Sequence, residues 1–237
     1  MAGQSLPGGP VRAVLFDLDE TLLDRTGSLA AFLRDQRRRF HERLGDVAFE
    51  PWADRFLALD AKGMTPKPVV YARLAQEFGL AVGTDSDLAA DYAESFRRHA
   101  RGNPGMAETL AALRARGLGL GVVTNGETAF QSGNLAALGL PAMVDVILIS
   151  AAEGLRKPDP AIFERAVRRL GTAPADCLFV GDNPVADVAG AVRAGMRAAW
   201  FRNGASWPAN AAPGPTAVID ALPETLSLVD GATRSPS

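Results

Sequence analysis

One cysteine, Cys177, stands in 237 residues, so no disulfide can form within the chain, and the pattern suits a reducing compartment, the cytoplasm. Cys177 opens the apolar run Cys177-Leu178-Phe179-Val180, where a thiol is expected to pack as a small hydrophobe. Histidine is almost as scarce. His41 and His99 sit apart among charged neighbours, and no His/Cys cluster with zinc spacing exists. Only three of the 25 basic residues are lysines, Lys62, Lys67 and Lys157, so each asks for a reason. No apolar run approaches the ~18 residues of a membrane span, and no basic-then-apolar leader opens the chain. A net charge of −2 gives no electrostatic ground for a nucleic-acid polymer as partner.

What is present is organised around its first apolar run. Val11 to Phe16 reads as a strand buried on both faces, and it ends abruptly in Asp17, Asp19 and Glu20. An extended backbone would turn Asp17 and Asp19 to one face, with the Thr21 hydroxyl beside them. Two carboxylates that close repel unless a cation or a shared proton compensates them. A strand running into an acidic helix cap would give the same letters.

From Thr26 to Ala100 helical periodicity replaces buried strands. Leu29, Phe32, Leu33, Phe40 and Leu44 mark one apolar face, and further helices are predicted over Pro51 to Ala61, Pro66 to Phe78 and Asp85 to Ala100. Over Arg25 to Arg101 this insert has 13 basic and 11 acidic residues, a small positive bias that suits an anionic substrate. The basic run Arg37-Arg38-Arg39, with Arg34, His41 and Arg43, is expected to point around much of the helix circumference as a solvated face, because Asp35 and Glu42 interleave it.

Alternation of helix and strand resumes near Asn103, with helices predicted over Pro104 to Arg116, Glu127 to Leu138, Ile162 to Leu170 and Val188 to Ala194. Strands are predicted at Leu118 to Thr124, Val144 to Ile149, Cys177 to Val180, Arg197 to Phe201 and Ala217 to Ile219. Such alternation predicts an α/β fold with a parallel sheet, whose ligands bind beyond the carboxyl ends of the strands. Polar groups stand in three of the segments that follow those strands. Thr124-Asn125-Gly126 offers a hydroxyl and amides, Lys157-Pro158-Asp159-Pro160 a cation before a helix, and Asp182-Asn183-Pro184 with Asp187 two carboxylates. Trp200 and Trp207 read most simply as core packing.

Asp17-x-Asp19-x-Thr21, Thr124-Asn125, Lys157-Pro158 and Gly181-Asp182 with Asp187, in this order, resemble the four loops of the haloacid dehalogenase superfamily, most of whose members are magnesium-dependent phosphatases. The resemblance covers the core, Val11 to Asp24 and Asn103 to Phe201, and implies a doubly wound, Rossmann-like parallel-sheet core of residues 1–24 and 102–237 with an all-helical cap domain, 25–101, inserted in it. It implies Asp17 as nucleophile, Asp19 as general acid and base, and Thr124, Asn125 and Lys157 as phosphate contacts. Magnesium would be held by Asp17, the backbone carbonyl of Asp19 and Asp182, with Thr21 and Asp187 in support; many relatives have Asn-Asp where this chain has Ala186-Asp187.

The substrate so implied is a small phosphorylated metabolite, a nucleotide, sugar phosphate or phosphoglycolate, turned over by a monomer or homodimer. Val122 to Gly126 and Lys157 to Phe163 look most like pyrimidine 5′-nucleotidases and N-acylneuraminate-9-phosphatases. A phosphomutase of the β-phosphoglucomutase type shares the whole core. A haloacid dehalogenase needs no magnesium and generally lacks the second aspartate, so Asp19 and Asp182 argue against it. A phosphonatase would need a cap lysine, for which Lys62 and Lys67 are available. A silent binding module would have no need of all these charged positions.

Overall fold

Ala13 to Phe16 are apolar without interruption, and they form the first strand, β1 (Ala13–Phe16), with every side chain buried. The computed structural model describes residues 9–231; the polar leader expected over Met1 to Pro10 and the frayed tail over Gly231 to Ser237 fall, but for their innermost residues, outside the described residues. Five more strands follow: β2 (Gly119–Thr124), β3 (Val146–Ile149), β4 (Cys177–Gly181), β5 (Arg197–Phe201) and β6 (Ala217–Ile219). They make one six-stranded sheet in the order β3-β2-β1-β4-β5-β6, parallel throughout. This is the doubly wound order whose direction of winding reverses beside the first strand. The registers Phe16↔Val122 and Phe16↔Val180 bring the chain leaving β1 beside the ends of β2 and β4.

The helices between strands bury one face each. In the Pro160–Arg169 helix, Ile162, Phe163, Ala166 and Val167 are buried, and Phe163 meets Phe179 of β4 edge to face at 5.1 Å between ring centroids. Cys177 is buried in this cluster, and burial pushes its thiol up to about 11, so it packs as the small hydrophobe its run implied.

Two expected helices differ in detail. The one expected from Pro104 begins at Met106, because Gly105 takes the left-handed conformation (φ 78°) just before it. Where Val188 to Ala194 was expected, a π-helical turn, Pro184–Ala189, comes first and a short α-helix, Gly190–Arg193, completes it. Asn183 starts this turn, its side chain accepting from the Val185 and Ala186 amides.

The chain divides into two compact units, one made of the residues up to Asp24 and from Arg101 onward, the other Arg25–Ala100. Within the first unit the two crossings run side by side: Leu23 bridges Gly102, and the Asp24 amide donates to the Arg101 carbonyl at 2.9 Å.

The second unit is helical, with its principal helices at Arg25–Arg39, Phe49–Asp60, Lys67–Phe78 and Thr84–Ser95. The last is shorter than expected and passes into a 3₁₀ turn, Phe96–His99. Its interior is aromatic: Phe32, Trp52, Phe56, Tyr71, Tyr92 and Phe96 are buried in mutual edge and tilted contacts. On the first helix the buried stripe runs Leu29, Phe32, Leu33 and Gln36, while Phe40, expected on it, is only half buried. Gln36 is admitted because its amide is satisfied, donating to Leu88 O and Asp91 Oδ2 at 3.0 Å each and accepting from Tyr71 Oη at 2.7 Å.

The basic run is solvated as expected: Arg34, Arg38, Arg39, His41 and Arg43 are exposed, Asp35 pairs with both Arg38 and Arg39, and Arg39 and Arg43 reach Asp91 and Asp87.

Packing around β2 gives a direct test. A Cβ on Gly121 would lie 2.6 Å from Leu15 Cδ2 and 3.1 Å from the Val146 carbonyl, on the neighbouring strands. Gly121→Ala is therefore expected to destabilise the protein by about 1–3 kcal/mol, the usual range for an overpacked core. Thermal unfolding checks this, and an unchanged midpoint would contradict the packing described.

Candidate active site

β1 ends at Phe16 and the chain turns at once, rather than running on extended as the sequence suggested. The Thr21 and Leu23 amides both donate to the Leu18 carbonyl, and Glu20 takes a left-handed backbone (φ 60°), sparsely populated by residues other than glycine. The turn is fixed from the neighbouring strand, since the Asp17 amide donates to Val180 O at 2.9 Å.

Asp17 is buried, and Lys157 reaches it from the loop after β3. The ammonium lies 2.5 Å from Asp17 Oδ1 and 2.6 Å from Asp187 Oδ1, with its Nζ over the Phe179 ring. Burial is the largest influence on Asp17 and raises its pKa; the Asp187 charge adds to this, Lys157 offsets part of it, and the result stays well above the usual carboxylate value. Burial alone would lower the Lys157 pKa, yet the charges of Asp17 and Asp187 and their hydrogen bonds carry it above the ordinary lysine value.

Asp187 reaches Lys157 because of the π-helical turn and a glycine. A Cβ on Gly181 would lie 2.5 Å from Asp187 Cβ, so only glycine at the end of β4 leaves room for that carboxylate. Its other oxygen accepts from the Asn183 amide at 2.9 Å. Asp182 is held at two points, its amide donating to Thr21 Oγ1 at 3.1 Å and its carbonyl accepting from Trp200 Nε1 at 2.8 Å. Trp200 stacks edge to face on Trp207, so the packing role read for both tryptophans includes a grip on this loop.

The structure places the predicted residues unequally. One oxygen each from Asp17, Asp182 and Asp187 falls within a 4.8 Å cluster, so Asp187, expected in support, belongs to the acidic group itself. Asn125, expected at the phosphate, uses both ends of its carboxamide on the backbone of Lys157: Oδ1 accepts from the Lys157 amide and Nδ2 donates to its carbonyl, each at 2.9 Å. Thr124 is buried at the end of β2, and Asp19 lies close enough to share a donor with it.

That donor is Gln131, which the sequence reading missed. Its Nε2 lies 2.7 Å from Asp19 Oδ2, 2.9 Å from Thr124 Oγ1 and 3.2 Å from Asn125 O, and Asn134 Nδ2 donates to its Oε1 at 3.1 Å. One signal was available. Gln131 and Asn134 stand with Leu135 on the buried face of the Thr128–Ala137 helix, and buried amides on such a face must have partners.

The donor set fits a hard divalent cation. Oxygens of three carboxylates, Asp17, Asp182 and Asp187, gather within 4.8 Å of one another, and carboxylate oxygens are the ligands magnesium takes. A cation there would also relieve the repulsion that raises the Asp17 pKa.

Comparison with known proteins places this arrangement. The chain is 33% identical to a phosphoserine phosphatase of Thermus thermophilus, over 82% of this chain and 90% of that protein. It is 31% identical to a phosphoglycolate phosphatase of Cupriavidus necator, over 96% and 97% of the two chains. Among solved structures, a HAD-hydrolase of Bacillus subtilis shares the fold with a TM-score of 0.79 at 23% identity, over 93% of this chain and 99% of that one. These names differ from the nucleotidase and acylneuraminate phosphatase subgroup suggested by the sequence. The family model for haloacid dehalogenase-like hydrolases matches residues 11–195, the stretch that contains all four loops, and the chain belongs to that family.

Proposed function

We propose that this protein is a cytoplasmic, magnesium-dependent phosphomonoester hydrolase that works through an aspartyl-phosphate on Asp17 and acts on a small phosphorylated metabolite. The observation that carries the reading is the Lys157 ammonium bridging Asp17 and Asp187 beside Asp182, with Asp19 held by the same Gln131 amide that reaches Thr124. An acidic cluster with a buried cation suits an anionic phosphoryl group, and Asp19 argues against carbon–halogen chemistry, which needs no second aspartate. Relatives named for phosphoserine, phosphoglycolate and glyceraldehyde 3-phosphate point to small phosphorylated substrates of that size. The lone, buried Cys177 suits the cytoplasm, and among the described residues no helix is long and apolar enough to cross a membrane.

Lys157 engages one oxygen of Asp17 and so orients the carboxylate, whose oxygen attacks phosphorus as the bond to the ester oxygen breaks. Asp19 gives its proton to that leaving oxygen. It then takes a proton from a water whose oxygen attacks the phosphorus, breaking the bond to Asp17 and releasing inorganic phosphate. Lys157 and Thr124 stabilise charge on the phosphoryl oxygens. Magnesium, which Asp17, Asp182 and the Asp19 carbonyl would hold with Asp187 nearby, supplies when bound the positive charge that lets an anionic nucleophile meet an anionic phosphate.

A phosphomonoester panel including phosphoserine, phosphoglycolate, glyceraldehyde 3-phosphate and nucleotides, assayed with and without magnesium, tests the class. Asp17→Asn is expected to lower kcat by at least ~10³-fold with the fold intact; substantial turnover in that variant refutes the mechanism. Gln131→Leu is expected to lower kcat about 10- to 100-fold, as losing a group that orients a reacting one does, while KM changes little. Magnesium should raise the thermal midpoint of the wild type and do so much less in Asp182→Asn. An equal rise in both would remove Asp182 from the metal site.

A further inference from the structure

The chain between β5 and β6, residues 202–216, forms neither helix nor strand. Connections without secondary structure beyond about 12–15 residues are uncommon in compact domains and are usually either functional or disordered. This one is tied down along its course. Arg202 pairs with Asp220 just past β6, the Ala205 amide donates to Arg202 O at 2.8 Å, and Arg193 Nη2 donates to Ala212 O at 2.7 Å. Two of its side chains, Asn203 and Trp207, also reach toward the loops of Asp19 and Asp182. We infer, resting on the proposal above that magnesium is held by Asp17, Asp182 and the Asp19 carbonyl, that this connector braces the metal ligands. Asn203 and Trp207 are its positioning residues and set the affinity of the site for the cation.

Asn203 acts on a peptide plane. Its Nδ2 lies 3.2 Å from Glu20 Oε2 and 3.5 Å from Glu20 O. Glu20 has the left-handed backbone (φ 60°), in which a Cβ crowds the following carbonyl, and such a conformation persists only where the surroundings fix it. The Asp19 carbonyl belongs to the peptide that joins it to Glu20, so rotation about φ of Glu20 turns that carbonyl. Were Glu20 released to the common φ region, the carbonyl would change direction whatever rotamer the Asp19 side chain kept. Asn203 is itself left-handed (φ 44°), a conformation that asparagine tolerates better than most residues.

Trp207 acts on the other loop. It meets Trp200 edge to face, with 5.1 Å between ring centroids, and its own Nε1 donates to Ala211 O at 3.2 Å, which closes the connector on itself. Trp200, buried in β5, donates from Nε1 to the Asp182 carbonyl at 2.8 Å. The indole that Trp207 packs against is therefore the one that fixes the Asp182 backbone. Magnesium demands near-ideal octahedral geometry and takes displaced ligands poorly. Groups that hold its ligands from behind carry about 10- to 100-fold in metal affinity.

Thermal midpoints of the full chain, followed against magnesium concentration, test the brace. Asn203→Gly deletes the side-chain amide and keeps the left-handed backbone; Trp207→Ala removes the ring that meets Trp200. In each variant the magnesium concentration that gives half of the midpoint rise is expected to be about tenfold higher than in the wild type. Trp207→Phe, which keeps an aromatic edge, is expected to restore most of the difference. Turnover of p-nitrophenyl phosphate by the two loosened variants should fall at limiting magnesium and recover as magnesium is raised, which a merely misfolded variant would not do. An unchanged half-rise concentration in both variants would overturn the brace, and so would a loss of turnover that magnesium does not restore. A wild type without any magnesium response would overturn the brace and the metal site together. A wild type that responds to magnesium and releases no phosphate, with both variants shifted, would sink the phosphatase reading and leave the brace standing.

Discussion

The Lys157 ammonium held between Asp17 and Asp187 is the interaction on which the core unit depends. Two buried carboxylates from different strand ends could not stay so close as anions without it, and removing one partner of a buried ion pair typically costs about 3–5 kcal/mol. Much of the surrounding structure serves to keep these three groups in place. The carboxamide of Asn125 clamps the lysine backbone on both sides, Phe179 lies under its head group, and Gly181 leaves the space that Asp187 fills. The order of strands is part of the same arrangement: β4, beside β1, leads into the turn that carries Asp187, while Lys157 reaches Asp17 from the loop after β3, on the far side of β2.

The scarcity of lysine now has a partial explanation. Two of the three lysines sit in ion pairs with buried aspartates: Lys157 at the site, and Lys67 in the helical unit. There Lys67 Nζ lies 2.6 Å from Asp60 Oδ1, and Arg25 approaches the other oxygen at 2.8 Å. Lys67 also lies over the Tyr92 ring. A lysine brings a compact charge on a flexible stem and can enter a narrow space between carboxylates, where the broad guanidinium fork prefers a planar, paired approach. For Lys62, exposed and in a left-handed conformation, the structure offers no comparable reason.

The sheet was legible because a strand buried on both faces leaves little choice of residue: Ala13 to Phe16 and Cys177 to Val180 admit only apolar side chains. The chemistry was legible because carboxylates and a lysine placed just after such runs contribute nothing to apolar packing and are costly to bury singly. Side-chain direction was harder to read. Asn125 and Gln131 are both amides near the site, and nothing in their local sequence says that one clamps the Lys157 backbone while the other spans Asp19 and Thr124. Those contacts join residues far apart in the chain. The basic run was legible because an acid interleaved at helical spacing can reach its neighbours: Asp35 pairs with Arg38 and Arg39 three and four residues on, on a face that stays exposed.

The paired crossings at Leu23 and Gly102 bear on the order in which the chain assembles. β1 and β2 are neighbours in the sheet, yet the whole helical unit lies between them in sequence. Were that segment still a flexible coil, joining its ends would cost loop-closure entropy that grows with the logarithm of its length. Helical segments form through local contacts and fold quickly. Once folded with its ends together, the insertion is to the sheet no longer than a tight connection, and the first strand pairs with the second almost as if they were consecutive.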